Sequence, residues 1–308
     1  MDEAVSLAPP TKAVQSHSPR WRYQLKALMS EPKVAGAGGF IVSLALVALF
    51  APLIAPHDPL DQDLMLSALP PAGFDSAEHG YLLGTDNLGR DVLSRLIFGT
   101  RITLIVAVVA AGLAALIGTT LGLLAGWYRG LVDSAISRLV EIWMSFPPVL
   151  LSILLVAVIG SGVTSVIAAI AIIDWTRFCR VIRAETMAQA QQDYVLAARA
   201  VGYPRLYILL REILPNIMPV LLALVSLEMG IAVIVEGILS FVGLSVSSDT
   251  PTWGGMIAEG RQYIHQTWWV LAAPLAALFA TVLCFNQLGE GLRRVAPAVQ
   301  ANSPQRLQ

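Results

Sequence analysis

An all-α membrane protein with six transmembrane helices is the fold class this sequence predicts, and three observations predict it. The first is composition. Of 308 residues, 56% are hydrophobic and only 13% charged, and the mean hydropathy is +0.68. Soluble domains carry about 25% charged residues, so roughly half of the polar surface they need is missing. The second is the recurrence of long charge-free intervals, because about 20 apolar residues cross the hydrocarbon layer. The third is the placement of basic residues, which cluster in alternate connections as membrane topology requires.

The elements follow in order. Residues 1–33 form a tail, rich in Ser, Pro and Ala over its first twenty positions and expected to be largely disordered. Residues 34–56 are the first span. Its apolar core, GFIVSLALVALFAPLIA, is longer than a signal-peptide core, so it reads as a retained anchor. Residues 57–100 form an acidic loop, and 101–292 hold the other five spans. The second span lies between Arg101 and Arg129. The interval from Glu141 to Asp174 is too long for one helix and divides at Gly160-Ser161-Gly162 into the third and fourth. Pro147-Pro148 must bend or interrupt the third, since proline lacks the backbone donor. The fifth follows Pro215, and the sixth lies between Arg261 and Glu290, ahead of a tail at 293–308.

Orientation follows from charge. The N-terminal tail carries Lys12, Arg20, Arg22, Lys26 and Lys33, and the stretch Arg177–Glu212 carries six arginines. The loop from Pro56 to Thr100 has seven acids against Arg90 and Arg95. Six spans then place both termini and the arginine-rich loop in the cytoplasm and the acidic loop outside.

Several chemistries are excluded. Net charge is −1, which argues against a nucleic-acid partner. All three lysines occur by position 33, so no GxxxxGK[ST] phosphate loop exists. His17, His57, His79 and His265 are isolated, and Cys179 and Cys284 stand far apart, so no metal spacing is present. No GxSxG turn is found. The chain reads as a non-enzyme: a transporter, channel or assembly subunit.

The arginine-rich loop is the informative part. Asp193–Val201 has the pattern of a short helix carrying Ala197, Ala198 and Ala200. Gly202 supplies the left-handed stop, and Pro204 suits the first turn of a second short helix. Pro215 marks the entry to the fifth span. Two short helices at an angle make a docking element for another protein's groove. An interfacial helix lying on lipid is the equal alternative on these residues.

This loop, YVLAARAVGYPRLYILLREILPN, resembles the EAA loop of ATP-binding-cassette (ABC) importer permeases of the dipeptide and oligopeptide subfamily. Ala197, Ala198, Gly202, Ile213, Leu214 and Pro215 fill the family's places, with Tyr194 and Arg199 in the same segment, and Leu196 stands where the family has Glu. LLGTDNLGRDVLSRLIFGTRITL, WTRFCRVIRAE, EGILSFVGLS, PTWGGMIAEGR and FNQLGEGLRR are similar, in order, to segments of the shorter, C-type permease of peptide, nickel and glutathione importers. Ser247-Ser248-Asp249 and Ala296-Pro297 depart from that pattern. The resemblance implies the ABC importer permease fold with a coupling loop at about 190–215, in a bacterial inner membrane. It implies a sister permease, two ATPase subunits that bind ATP and Mg in this chain's stead, and an extracytoplasmic solute-binding protein. The solute is left open among dipeptides, oligopeptides, glutathione, nickel chelates and opines.

Other residues carry paired readings. Ala110, Ala114, Gly118, Gly122 and Gly126 recur every four residues and form a close-packing face, within the chain or toward the sister permease. Glu228 and Glu236 are eight residues apart, about 12 Å along a helix and about 80° around it. They line a translocation path or hold helices together as internally bonded carboxyls. If they couple transport themselves, the chain is a self-sufficient secondary transporter or channel, although no internal repeat supports that class. Arg90 and Asp91 pin the outer loop or meet a binding protein. Trp253, Trp268 and Trp269 are expected as an interfacial aromatic belt.

Overall fold

The computed structural model describes residues 31–245 and 250–301, with side chains to residue 294. The expected disorder of the N-terminal tail, the last seven residues of the C-terminal tail and Ser247-Ser248-Asp249 lie outside the described residues. The elements are α1 (Pro32–Leu49), α2 (Ala51–Ile54), α3 (Val92–Tyr128), α4 (Gly130–Met144), α5 (Pro148–Ile159), α6 (Val163–Gln189), α7 (Asp193–Ala200), α8 (Arg205–Tyr207), α9 (Leu214–Phe241), α10 (Trp253–Gln262) and α11 (Trp268–Ala301). No strand occurs among the described residues.

A helical segment stands in each of the six expected intervals. Four helical runs are long and apolar enough to cross a membrane: Pro32–Leu49, Val92–Tyr128, Arg205–Phe241 and Trp268–Arg294. α4 and α5 pass the same test only as a pair, bent by 86° where Pro147 and Pro148 break the backbone ladder, which is the shape of a broken span or a re-entrant loop. α6 is the sixth segment. Its first half is apolar, but Asp174, Arg177, Arg180 and Arg183 make the rest polar, so it falls short as an apolar span. α3 is roughly 55 Å long and begins at Val92, well before Arg101. Arg101 instead donates through Nε to the Ala48 carbonyl at 2.8 Å, satisfying an orphan acceptor at the end of α1.

The small-residue face of α3 seats α6. A Cβ on Gly122 would lie 2.8 Å from the Cys179 carbonyl, and one on Gly126 would lie 2.7 Å from the Arg183 carbonyl. A Cβ on Gly118 would collide with the Trp175 carbonyl. α9 closes the core against both helices, with Val106, Ala110, Ile170, Ala232 and Leu239 buried in one cluster. The Ser226 hydroxyl donates to the Phe285 carbonyl at 2.8 Å and ties α9 to α11.

The loop after α6 departs from expectation in one respect. α7 ends as the sequence says, but Arg205 starts a helical run that continues to Phe241. Residues Ile208–Ile213 form a π-turn, and Pro215 sits in the first turn of α9. The expected second short helix is therefore the N-terminal extension of the fifth span. Pro215 removes a donor at a place where the widened turn has already loosened the ladder, so it does not break the run.

Candidate coupling surface and its supporting charges

α7 is held by both ends. Its C-terminus is a Schellman motif: Tyr203 N donates to Ala198 O at 3.2 Å and Gly202 N donates to Arg199 O at 3.0 Å. Gly202 makes this possible with φ of +89°. At the other end the Tyr194 hydroxyl donates to Gln189 Oε1 at 2.7 Å, and burial raises the phenol above its ordinary pKa.

The loop has two faces. Inward, Val195 and Ala198 of α7 pack with Ile208, Leu209, Ile213 and Ile217 against Leu123 of α3 and Ile182 of α6. Outward, Leu196, Val201, Tyr203, Leu206 and Leu210 are exposed, Val201 to 74%. Of the residues singled out from the sequence, Ala198 and Ile213 are buried and Tyr194 and Leu214 half-buried. Ala197, Arg199, Gly202 and Pro215 are exposed. Leu196, in the family's glutamate place, is on the outer face. Trp127 was missed by the sequence reading: the Arg199 guanidinium lies 4.3 Å from its ring centre. No local signal joins residues on two separate elements in this way.

The two membrane glutamates are enclosed by the chain itself, each 1% exposed. Glu228 of α9 faces α6, where the Arg177 guanidinium lies 3.6 Å from Glu228 and 3.9 Å from Asp174. Glu236 accepts from the Ser240 hydroxyl at 2.6 Å and from Ser245 at 3.4 Å. Ser245 in turn accepts from Gly162 N at 2.6 Å, so this carboxyl anchors the turn between α5 and α6. Neither carboxyl opens onto the surface of the chain.

The loop at 57–100 is built on a second charge cluster. Asp86, fully buried, accepts from Leu88 N, Arg90 N and Arg90 Nε at 2.8, 3.0 and 2.7 Å, and from Arg95 at 2.5 Å. Both arginines also reach Glu259 of α10, at 2.8 and 2.7 Å. Asp91 caps α3, accepting from Ser94 N at 2.9 Å and Ser94 Oγ at 2.6 Å. His57 stacks on Tyr81 with ring centres 4.4 Å apart. Burial first, then Asp91 and Asp63, raise the Tyr81 phenol above its ordinary pKa. Glu259 was not singled out from the sequence, because it lies more than 160 positions from either arginine.

Two of the three tryptophans correct the aromatic-belt expectation. Trp253 is 1% and Trp269 8% exposed, and only Trp268 faces outward. The Trp253 indole donates to Leu96 O at 3.0 Å and the Trp269 indole to Thr85 O at 3.0 Å. They bolt α10 and α11 to α3 and the 57–100 loop, and indole N–H partners were available there as readily as at a lipid headgroup. Among the described residues, no three His, Cys, Asp or Glu side chains group as a metal site needs.

Comparison with known proteins places this arrangement. Residues 118–295 match the family described as binding-protein-dependent transport system inner membrane component. Residues 20–71 match the N-terminal TM domain of oligopeptide transport permease C. The chain is 38% identical to the di/tripeptide transport system permease protein DppC of Pseudomonas aeruginosa, over 83% of this chain and 85% of that one. It is 36% identical to the glutathione transport system permease protein GsiD of Pectobacterium atrosepticum, over 89% of each. It is 33% identical to the probable D,D-dipeptide transport system permease protein DdpC of Escherichia coli, over 95% of each. In fold it resembles a chain of the MetNI methionine ABC transporter in an inward-facing conformation. That likeness has a TM-score of 0.55 at 21% identity, over 67% of this chain and 97% of that one.

Proposed function

This chain belongs to the family of binding-protein-dependent transport system inner membrane components and is a multi-pass permease subunit of an ABC importer; from that premise we propose what it carries and how it is driven. The solute is a short peptide or a peptide-like molecule such as glutathione, the classes named for its relatives. The chain forms the path with a sister permease and receives solute from an extracytoplasmic binding protein. Two separate ATPase subunits bind ATP and Mg and hydrolyse the nucleotide, so this chain carries no catalytic step. Both termini and α7 face the cytoplasm.

The observation that supports this reading most is the two-faced loop. Its inner face is part of the core, so it moves with α3, α6 and α9 as one body. Its outer face exposes an apolar row whose burial needs a partner. Closure of the ATPases on ATP then shifts α7 and, through it, the helices that bound the path. Glu228 and Glu236 hold helices together from inside. The self-sufficient transporter is not favoured by family membership.

Purification of the tagged chain in mild detergent tests the proposal, with identification of what accompanies it. A second permease and an ATPase are expected. Leu196→Asp on the outer face should release the ATPase while the permease pair stays folded, whereas Val195→Asp on the inner face should unfold the loop. A chain that emerges alone, with uptake driven by a proton gradient instead of ATP, overturns it.

A further inference from the structure

The junction between the end of α2 and the start of α3 holds a buried charge beside an imidazole. Asp91, at the N-cap of α3, has a side chain with no exposed surface. Besides its bonds to Ser94 it accepts from Leu93 N at 3.3 Å. Backbone donors and the positive end of the helix dipole hold such a carboxylate in its ionised form. Among the described residues, His57 is the one basic group within ion-pair distance of it, with Nδ1 3.5 Å from Asp91 Oδ2.

His57 is fixed where it stands. Its backbone N–H donates to Ser94 Oγ at 3.0 Å, and that hydroxyl donates on to Asp91 Oδ2 at 2.6 Å. The imidazole lies flat on the Tyr81 ring, their planes within 4°. Nδ1 is shut off from solvent and has no hydrogen-bond partner among the described residues. A neutral ring leaves that nitrogen either a lone pair facing a carboxylate or a distant donor; a protonated ring makes it a charged donor beside its natural acceptor. The side chain as a whole is 35% exposed, so a proton reaches the ring by another edge.

The charges around this ring pair have one sign. Asp91 of α3, with Asp63, Glu78 and Asp61 of the 57–100 loop, are the charges that act on the Tyr81 phenol, after burial, to raise it. All four favour a cation at the imidazole, and Tyr81 offers that cation its ring face.

We propose that His57 and Asp91 form a proton-operated latch. When the imidazole gains a proton, Nδ1 donates to Asp91 and clamps the chain after α2 to the first turn of α3; when the proton leaves, the clamp is released. The rest of the 57–100 loop answers through existing contacts. Tyr81 rides on the imidazole, Thr85 accepts from Trp269 of α11, and Arg90 and Arg95 bind Glu259 of α10. The chain thereby senses acidity on whichever side of the membrane this loop lies.

A cation that meets its carboxylate only in the folded chain adds stability below the ordinary histidine pKa of about 6.5, and the increment is lost as pH rises through the titration of the folded imidazole. Melting of the full purified chain in neutral detergent, at about pH 5.5 and about pH 8, brackets that value and tests the latch. His57→Phe keeps a ring on Tyr81 and removes the proton, and His57→Gln keeps a polar side chain that cannot be charged. Relative to wild type, both should lose about 2–4 °C more at the acid pH than at the alkaline one. His79→Gln, an exposed histidine of the same loop, should keep the wild-type difference. If one His57 variant does not fold, the other carries the comparison. Equal deficits at the two pH values would mean that the ring only stacks, and overturn the proposal. Loss of the acid increment in His79→Gln overturns it too, by assigning the proton elsewhere. The latch does not rest on the transport reading and is measured by melting, so either can fail without the other.

Discussion

The contact between α3 and α6 sets the position of the coupling loop, and Gly122 is where it can be perturbed most cleanly. Changing Gly122 to Ala places a methyl carbon 2.8 Å from the Cys179 carbonyl oxygen and 3.0 Å from Ile182 Cβ. Comfortable contact needs about 3.5 Å, so α6 must retreat by about 0.7 Å along part of its length. Overpacking of this kind costs about 1–3 kcal/mol. Against it stands the gain of Ala over Gly in a helix interior, about 0.5–1 kcal/mol. Gly112, on the same helix, has nothing within 4 Å of its Cβ position, so Gly112→Ala receives that gain without the clash. The difference between the two variants isolates packing. At about 2–4 °C per kcal/mol, Gly122→Ala should melt several degrees below Gly112→Ala when purified protein is heated in detergent. Gly122→Leu has no room at all and should not yield monodisperse protein. Equal melting of the two alanine variants, or normal yield of Gly122→Leu, would refute the close approach of α3 and α6.

The charge cluster around Asp86 predicts a ranking. Asp86→Asn leaves two buried arginines short of their shared acceptor and should cost about 3–5 kcal/mol, whereas Glu259, 36% exposed on its side chain, should cost only about 1 kcal/mol as Gln; thermal unfolding of both variants checks the order. Brominated lipid should quench Trp268 and spare Trp253 and Trp269, read as loss of the quenchable fraction in Trp268→Phe but not in Trp253→Phe. Gly202→Ala meets no atom within 4 Å but must hold a left-handed backbone at about 1–2 kcal/mol; ATP-driven uptake should fall at unchanged expression, and uptake equal to wild type would remove the Schellman stop from the coupling path.

What could be read in advance was local. α7 and its stop were legible because helix, Gly202 and the following turn are decided within ten residues. The bend before α5 was legible because Pro147 and Pro148 act on their own backbone. The extent of the fifth span was not, since Pro204 and Pro215 both resemble boundaries. Only the π-turn between them shows that the helix carries through. Trp253 and Trp269 misled for a related reason. A tryptophan near a span end fits a lipid interface or a buried hydrogen bond equally, and the acceptors Leu96 O and Thr85 O belong to distant segments.

The sequence by itself determined the class of this protein, the intervals in which its long apolar helices stand, the small face of α3 and the short helix with its glycine stop at Asp193–Gly202. All of these rest on periods and spacings within one helix or one turn. Only the tertiary structure decided which arginines are neutralised and which stay free. It joined Glu259 to Arg90 and Arg95, buried Glu228 against Arg177, and laid the Arg199 guanidinium over the Trp127 ring. The physical reason is that charge is balanced through space, over a few ångströms, between residues drawn from any part of the chain.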